Sequence, residues 1–160
     1  MEKSTIYLTR GALIASIYVA LTYVATMFGL SSGVIQFRIS EALCILPLFF
    51  PEAVLGLTLG CLIANLLSGC VIWDIVFGSV ATFLGAFLAR LFIKVPENLK
   101  WLATIPTILS NALIVPFVLI YAYDVPDAYY ILMISVGIGE IVCAGIGGSI
   151  LYYSLRKIKF

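Results

Sequence analysis

Long apolar stretches separated by very short polar breaks dominate this chain. A transmembrane helix needs about 20 apolar residues, because the hydrocarbon core of a bilayer is about 30 Å thick. The pattern predicts an all-α integral membrane protein with six transmembrane helices in a compact bundle. The predicted spans lie near residues 6–28, 35–50, 53–71, 75–94, 101–122 and 128–155.

The second and third spans are the weakest of the six. The second is short, carries Arg38 and Glu41, and contains Pro47. An interrupted span is tolerated only where it is buried in protein or lines a water-filled cavity. We therefore expect other helices, or a polar cavity, to surround this segment.

Composition supports a membrane protein and excludes a typical water-soluble domain. Of the 160 residues, 63% are hydrophobic and 11% are charged, whereas soluble domains are roughly 45–50% apolar and about 25% charged. The length suits one transmembrane domain over residues 1–160. Four cysteines lie in apolar runs without a CxxC motif, which favours buried thiols. No cleavable signal peptide is predicted, because residues 6–28 are too long for its apolar region.

Basic residues predict the orientation, because lysine and arginine concentrate on the cytoplasmic side. An even number of spans places both termini on one side of the membrane. Only Arg38 falls on the opposite side. We therefore predict that both termini are cytoplasmic, together with Lys3, Arg10, Arg90, Lys94, Lys100, Arg156, Lys157 and Lys159.

The acidic residues have a different distribution. Glu41, Asp74, Asp124 and Asp127 fall at or near the outer face, opposed only by Arg38. Such a field attracts a cation and repels an anion. Asp124 and Asp127 also suit a simpler interpretation, in which they are solvated loop charges.

Motifs for common enzyme chemistry are missing, so no catalytic residue, cofactor or metal site is predicted. The sequence has no histidine and no Gly-Lys pair, which excludes HExxH and the P-loop. A GxSxG match at residues 29–33 follows a membrane span and lacks a histidine partner, so we interpret it as a loop. The glycines between Gly145 and Gly148 lie inside the last span and favour helix packing.

Small residues recur at four-residue spacing, which places them on one helix face and lets another backbone approach closely. Internal packing explains most of these faces. In the first span, Ala12, Ser16 and Ala20 could instead dock a separate subunit, because a terminal span is most easily left outside the bundle. The other faces are Gly56, Gly60 and Ala64; Ala81, Gly85 and Ala89; and Gly139, Cys143 and Gly147.

Polar residues at membrane depth are the best candidates for a binding site. Glu140 lies about thirteen residues into the sixth span, where a carboxylate is costly unless it is paired or faces a polar cavity. Asn111 could be its structural partner, and Asn65 and Asn111 could simply bond neighbouring helices. Carboxylate, amide and aromatic groups together suit a planar, hydrogen-bonding, cationic heterocycle. The predicted substrate-binding set is Gln36, Arg38, Glu41, Asn65, Trp73, Asp74, Asn111 and Glu140.

Several sequence blocks resemble one transporter family. The blocks at residues 38–43 (RISEAL), 52–53, 60–65, 73–79 (WDIVFGS) and 139–140 are similar to those of the QueT group. This group belongs to the substrate-binding S components of energy-coupling factor transporters, and is associated with queuosine precursors such as 7-aminomethyl-7-deazaguanine. The resemblance covers nearly the whole chain.

The resemblance implies a division of labour between subunits. This chain would capture the solute outside the cell, while an energy-coupling factor transmembrane subunit and two ATPase subunits would drive uptake. The alternatives are an S component for thiamine, riboflavin or another vitamin-like heterocycle, a membrane-embedded enzyme acting on lipid, and a scaffold protein. Nothing in the sequence indicates a nucleic-acid partner.

Overall fold

A computed structural model describes residues 2–30 and 36–158. Within these residues, six α-helices are connected by 3₁₀ helices, a π-helix and short loops. The helices are α1 (Glu2–Met27), α2 (Ala53–Leu67), α3 (Ile72–Leu91), α4 (Ile105–Tyr123), α5 (Tyr129–Glu140) and α6 (Gly148–Leu155). A 3₁₀ helix over Ile39–Leu48, here the 3₁₀ segment, lies between α1 and α2, and a π-helix over Ile141–Gly147, the π segment, joins α5 to α6. Shorter 3₁₀ helices over Phe92–Lys94 and Glu97–Thr104 connect α3 to α4.

Within the described residues, four helical stretches are long and apolar enough to cross a bilayer. They match the first, fourth, fifth and sixth predicted spans and confirm a membrane protein. The stretches are Ser4–Met27, Ile72–Lys94, Glu97–Tyr123 and Tyr129–Leu155.

The second and third predicted spans are shorter than expected. The second is a ten-residue 3₁₀ helix and not a span of 35–50; residue 35 itself lies outside the described part. Pro47 has no amide hydrogen to donate, which disfavours a regular α-helix there. The third ends at Leu67 and not at residue 71, because Gly69 turns the chain with a φ of 71°.

Close helix contacts occur where the sequence places small residues. A Cβ added to Gly60 of α2 would lie 2.8 Å from the Cβ of Tyr18 on α1. A Cβ added to Gly85 of α3 would lie 2.7 Å from the Cα of Thr107 on α4. Internal packing through these faces is therefore confirmed, because a larger residue would force the helices apart.

The 3₁₀ segment lies in the interior of the bundle. Eight of its ten residues are buried, and it packs against α1, α3, α6 and the π segment. At its far end, the Arg90 guanidinium donates a hydrogen bond of 2.6 Å to the Pro47 carbonyl. The expectation that protein surrounds this interrupted segment is therefore confirmed.

The last predicted span is helical from Tyr129 to Leu155 but changes its winding on the way. Its glycines allow neighbouring backbone to approach closely. A Cβ on Gly139 would overlap the Gln36 carbonyl oxygen, and one on Gly147 would lie 3.1 Å from the Ala42 Cβ. These contacts pack the end of α5 against the chain that leads into the 3₁₀ segment, and the end of the π segment against the 3₁₀ segment itself.

Candidate binding site

The 3₁₀ winding aligns the charged residues at the start of the 3₁₀ segment. With three residues per turn, side chains three positions apart lie on the same face. Glu41 therefore shares a face with Cys44, and Arg38 continues the same row just before the helix begins. Glu41 is buried, and its carboxylate lies near both the Arg38 guanidinium and the Cys44 thiol. Asp74 of α3 lies beside Arg38 in this row, and Glu140 of α5 lies near Glu41.

Asp74 meets Arg38 from the first turn of α3. The Arg38 guanidinium lies 3.7 Å from Asp74 Oδ1, a distance of ion pairing and not of hydrogen bonding. The Tyr123 hydroxyl donates a hydrogen bond of 3.0 Å to Asp74 Oδ2. Asp74 Oδ1 is buried and accepts no hydrogen bond within the described residues. A carboxylate in the first turn of a helix also gains from the helix dipole.

Asn65 of α2 closes the cluster beside Asp74. Its amide donates a hydrogen bond of 3.3 Å to the backbone carbonyl of Asp74. A Cβ added to Gly78 would lie 3.0 Å from Asn65 Nδ2 and 3.3 Å from Asp74 Oδ1. Gly78 therefore leaves space for these two polar side chains in the interior.

Glu140 and Asn111 form the opposite part of the cluster. Both side chains are buried, and the Asn111 amide lies beside the Glu140 carboxyl. Asn111 Nδ2 and Glu140 Oε2 nevertheless make no hydrogen bond within residues 2–30 and 36–158. Glu41 and Arg38 lie near enough to Glu140 to interact with it electrostatically. Buried polar groups without partners are costly, so this pair could bond a polar ligand.

The charges of the described cluster do not balance. Glu41, Asp74 and Glu140 provide three carboxyl groups, whereas Arg38 provides a single guanidinium. A buried excess of carboxylate is unfavourable unless protons or a cation compensate it. The cluster therefore has the chemistry to accept a cationic ligand that also presents N–H donors.

The structure brings six of the eight predicted binding residues together through their side chains. These are Arg38, Glu41, Asn65, Asp74, Asn111 and Glu140. Gln36 approaches α5 through its backbone carbonyl, which packs on Gly139, and its side chain is half-buried.

Trp73 lies on an outward face and not with these six residues. Its indole is 58% exposed and stacks on Phe77, with ring centroids 6.0 Å apart. Successive residues of an α-helix point about 100° apart, so Trp73 faces outward when Asp74 faces inward. The indole lines an apolar groove of about 720 Å³ between α3 and α4. The geometry does not support the expectation that this ring stacks on the ligand.

Two tyrosines that were not among the predicted binding residues also contact the cluster. Tyr18 in the middle of α1 donates a hydrogen bond to Glu41 Oε1, and Tyr123 bonds Asp74. The depth of Tyr18 in its span was an available signal, because a buried tyrosine hydroxyl usually has a polar partner.

The small-residue face of the first span points away from the bundle. Ala12, Ser16 and Ala20 are exposed, whereas the buried face of α1 includes Ile14 and Tyr18. The Ser16 hydroxyl donates a hydrogen bond of 2.9 Å to the Ala12 carbonyl, so it already has a partner within α1. The three exposed residues help to line a groove of about 610 Å³ beside α2.

Comparison with known proteins agrees with this arrangement. A profile of the family described as QueT transporter matches residues 8–157. The chain belongs to the QueT transporter family. The description of this family names a transporter, and membership agrees with the resemblance noted in the RISEAL and WDIVFGS blocks.

One curated relative carries a more specific name than the family. The Queuosine precursor transporter QueT of Lactococcus lactis subsp. cremoris (strain MG1363) is 34% identical over 103 residues. That alignment covers 63% of this chain and 60% of the relative. No solved structure matches this chain.

Proposed function

We propose that this chain is the substrate-binding subunit of an energy-coupling factor importer, and that it captures a queuosine precursor such as 7-aminomethyl-7-deazaguanine. The buried cluster of three carboxyl groups, one guanidinium and two amides is the observation that supports this most strongly. Membership of the QueT transporter family and the name of the Lactococcus relative agree with it.

The proposed ligand matches the two parts of the cluster. A guanine-like edge presents a ring N–H and an exocyclic NH₂, and a carboxylate can accept both. Glu140 and Asn111, with their unpaired atoms, are the proposed partners of that edge. The aminomethyl group is cationic, and its proposed partner is Asp74, whose Oδ1 accepts no hydrogen bond within the described residues. Glu41 adds negative charge between these two ends, and its carboxylate is a further proposed acceptor for the N–H donors of the ligand.

The proposed orientation has six spans with both termini in the cytoplasm. The 3₁₀ segment and α2 then count as short spans, and Arg38, Asp74 and Glu140 lie in the outer half of the bundle. Reporter fusions at each terminus test this orientation. Termini on opposite sides would require an odd number of spans and would refute it.

Uptake against a gradient needs an energy source, which we assign to partner subunits. The chain contains no P-loop, so two separate ATPases and a transmembrane subunit would supply the work. Ala12, Ser16 and Ala20 form the proposed docking face for that transmembrane subunit, because they are small, exposed and aligned on α1. Small residues allow close packing between helices in a membrane.

Calorimetry on the purified chain tests the proposed ligand. Titrations with 7-aminomethyl-7-deazaguanine, guanine, thiamine and riboflavin would be compared at one pH and salt concentration. We expect the aminomethyl compound to bind most tightly, because it alone combines the guanine-like edge with a cationic arm. Preferential binding of thiamine or riboflavin would assign the chain to another vitamin-like heterocycle and refute the queuosine assignment.

A further inference from the structure

The buried face of α1 is bonded to the 3₁₀ segment at two successive positions. Tyr18 is 1% exposed, and its hydroxyl donates a hydrogen bond to Glu41 Oε1. One turn later along α1, the Thr22 hydroxyl lies 2.8 Å from the Ser40 hydroxyl. Residues 40 and 41 are therefore both held by side chains that α1 provides.

The bond to Glu41 restricts the carboxylate and not only the backbone. A glutamate side chain has three rotatable bonds, and its terminal torsion is broad. The hydrogen bond from the Tyr18 hydroxyl to Oε1 restricts the range of this terminal torsion, and so sets the direction in which Oε2 points. Tyr18 has little room to move, because the residue is 1% exposed and its Cβ packs against Gly60 of α2.

From this geometry we infer that Tyr18 is a positioning residue for ligand capture. It holds the Glu41 carboxylate in the orientation that meets the N–H donors of the ligand. The inference rests on the proposed function, since Glu41 is among the proposed ligand-binding groups. Tyr18 itself contacts the bundle and not the ligand, so its effect on binding would pass through Glu41.

Tyr18→Phe tests this role, because it keeps the buried ring and removes only the hydroxyl. We expect affinity for 7-aminomethyl-7-deazaguanine to fall about tenfold, as for the loss of one hydrogen bond to a charged group. Tyr23→Phe is the matched control: it makes the same change on the same helix, where the ring is 53% exposed. The control should bind like the parent protein.

A double-mutant cycle with Glu41→Gln separates positioning from a structural role. If Tyr18 acts through the carboxylate, adding Tyr18→Phe to Glu41→Gln should cause little further loss of affinity, since coupled residues are not additive. Full additivity would overturn the inference, and so would parental affinity in Tyr18→Phe. If Tyr18→Phe alone does not fold, the double variant is compared with Glu41→Gln, and a further loss of affinity again overturns it.

Ligand binding by the parent protein distinguishes a failure of this inference from a failure of the proposed function. If the parent does not bind 7-aminomethyl-7-deazaguanine, the proposed function fails and the inference fails with it. If the parent binds and Tyr18→Phe is unchanged, only the role of Tyr18 fails.

Discussion

Replacing Glu140 with glutamine should weaken ligand binding without weakening the fold. The side chain is 5% exposed, its Oε2 has no hydrogen-bond partner in the described structure, and Glu41 lies nearby. Glutamine keeps the shape but replaces one acceptor oxygen with an NH₂ donor, which would face the donors of the ligand. The loss of a hydrogen bond to a charged group costs about 1.5–3 kcal/mol. At about 1.4 kcal/mol per tenfold, affinity should fall roughly ten- to a hundredfold.

The same structure predicts the effect of Glu140→Gln on stability. A buried carboxylate close to a second carboxylate is costly, so removing its charge should leave the thermal midpoint unchanged or higher. Calorimetry and thermal unfolding of the purified variant measure both quantities. Asp124→Asn is the control, because it removes an exposed carboxylate from the loop between α4 and α5. Parental affinity with a lower midpoint would make Glu140 a structural partner and refute the proposed site.

Three further predictions concern other parts of the molecule. Asp74→Asn should weaken aminomethyl ligands several-fold more than uncharged analogues, because it removes charge and keeps shape; equal losses measured by calorimetry would contradict this. Ser16→Trp should abolish co-purification with the transmembrane subunit while ligand binding survives, whereas Leu109→Trp on α4 should not; an intact complex would place docking elsewhere. Cys70 is the only one of the four cysteines that is not buried, and it lies beside Asp74. Bound ligand should therefore slow its alkylation by a maleimide, measured by mass spectrometry, and an unchanged rate would contradict a ligand at Asp74.

The sequence alone was enough to predict which polar residues lie deep within the apolar helices. The six side chains of the cluster, five of them buried, were predicted because charge and amide groups are costly in a membrane. Whether a given side chain faces the interior of the bundle was harder to predict, because it depends on the type of helix at that position. Trp73 and Asp74 are neighbours in one block, yet only Asp74 faces the interior.

The 3₁₀ and π windings could not be derived from composition or periodicity. They depend on tertiary contacts, such as Gly139 against the Gln36 backbone and Arg90 on the Pro47 carbonyl. Tyr18 was missed for a similar reason, since its partner lies 23 residues away on another element. Three predictions fall on residues outside the described part: the loop at 31–33, the side chain of Lys3, and Lys159.

The short 3₁₀ segment also constrains how the protein is assembled in the membrane. Ten residues at about 2 Å per residue extend roughly 20 Å, which is less than the bilayer core of about 30 Å. Glu41 and the 3₁₀ backbone would face lipid if the segment were inserted alone, which the bilayer does not tolerate. Stable insertion of this segment must therefore wait for α1, α3 and the π segment, and the binding cluster can form only once later helices have been synthesised.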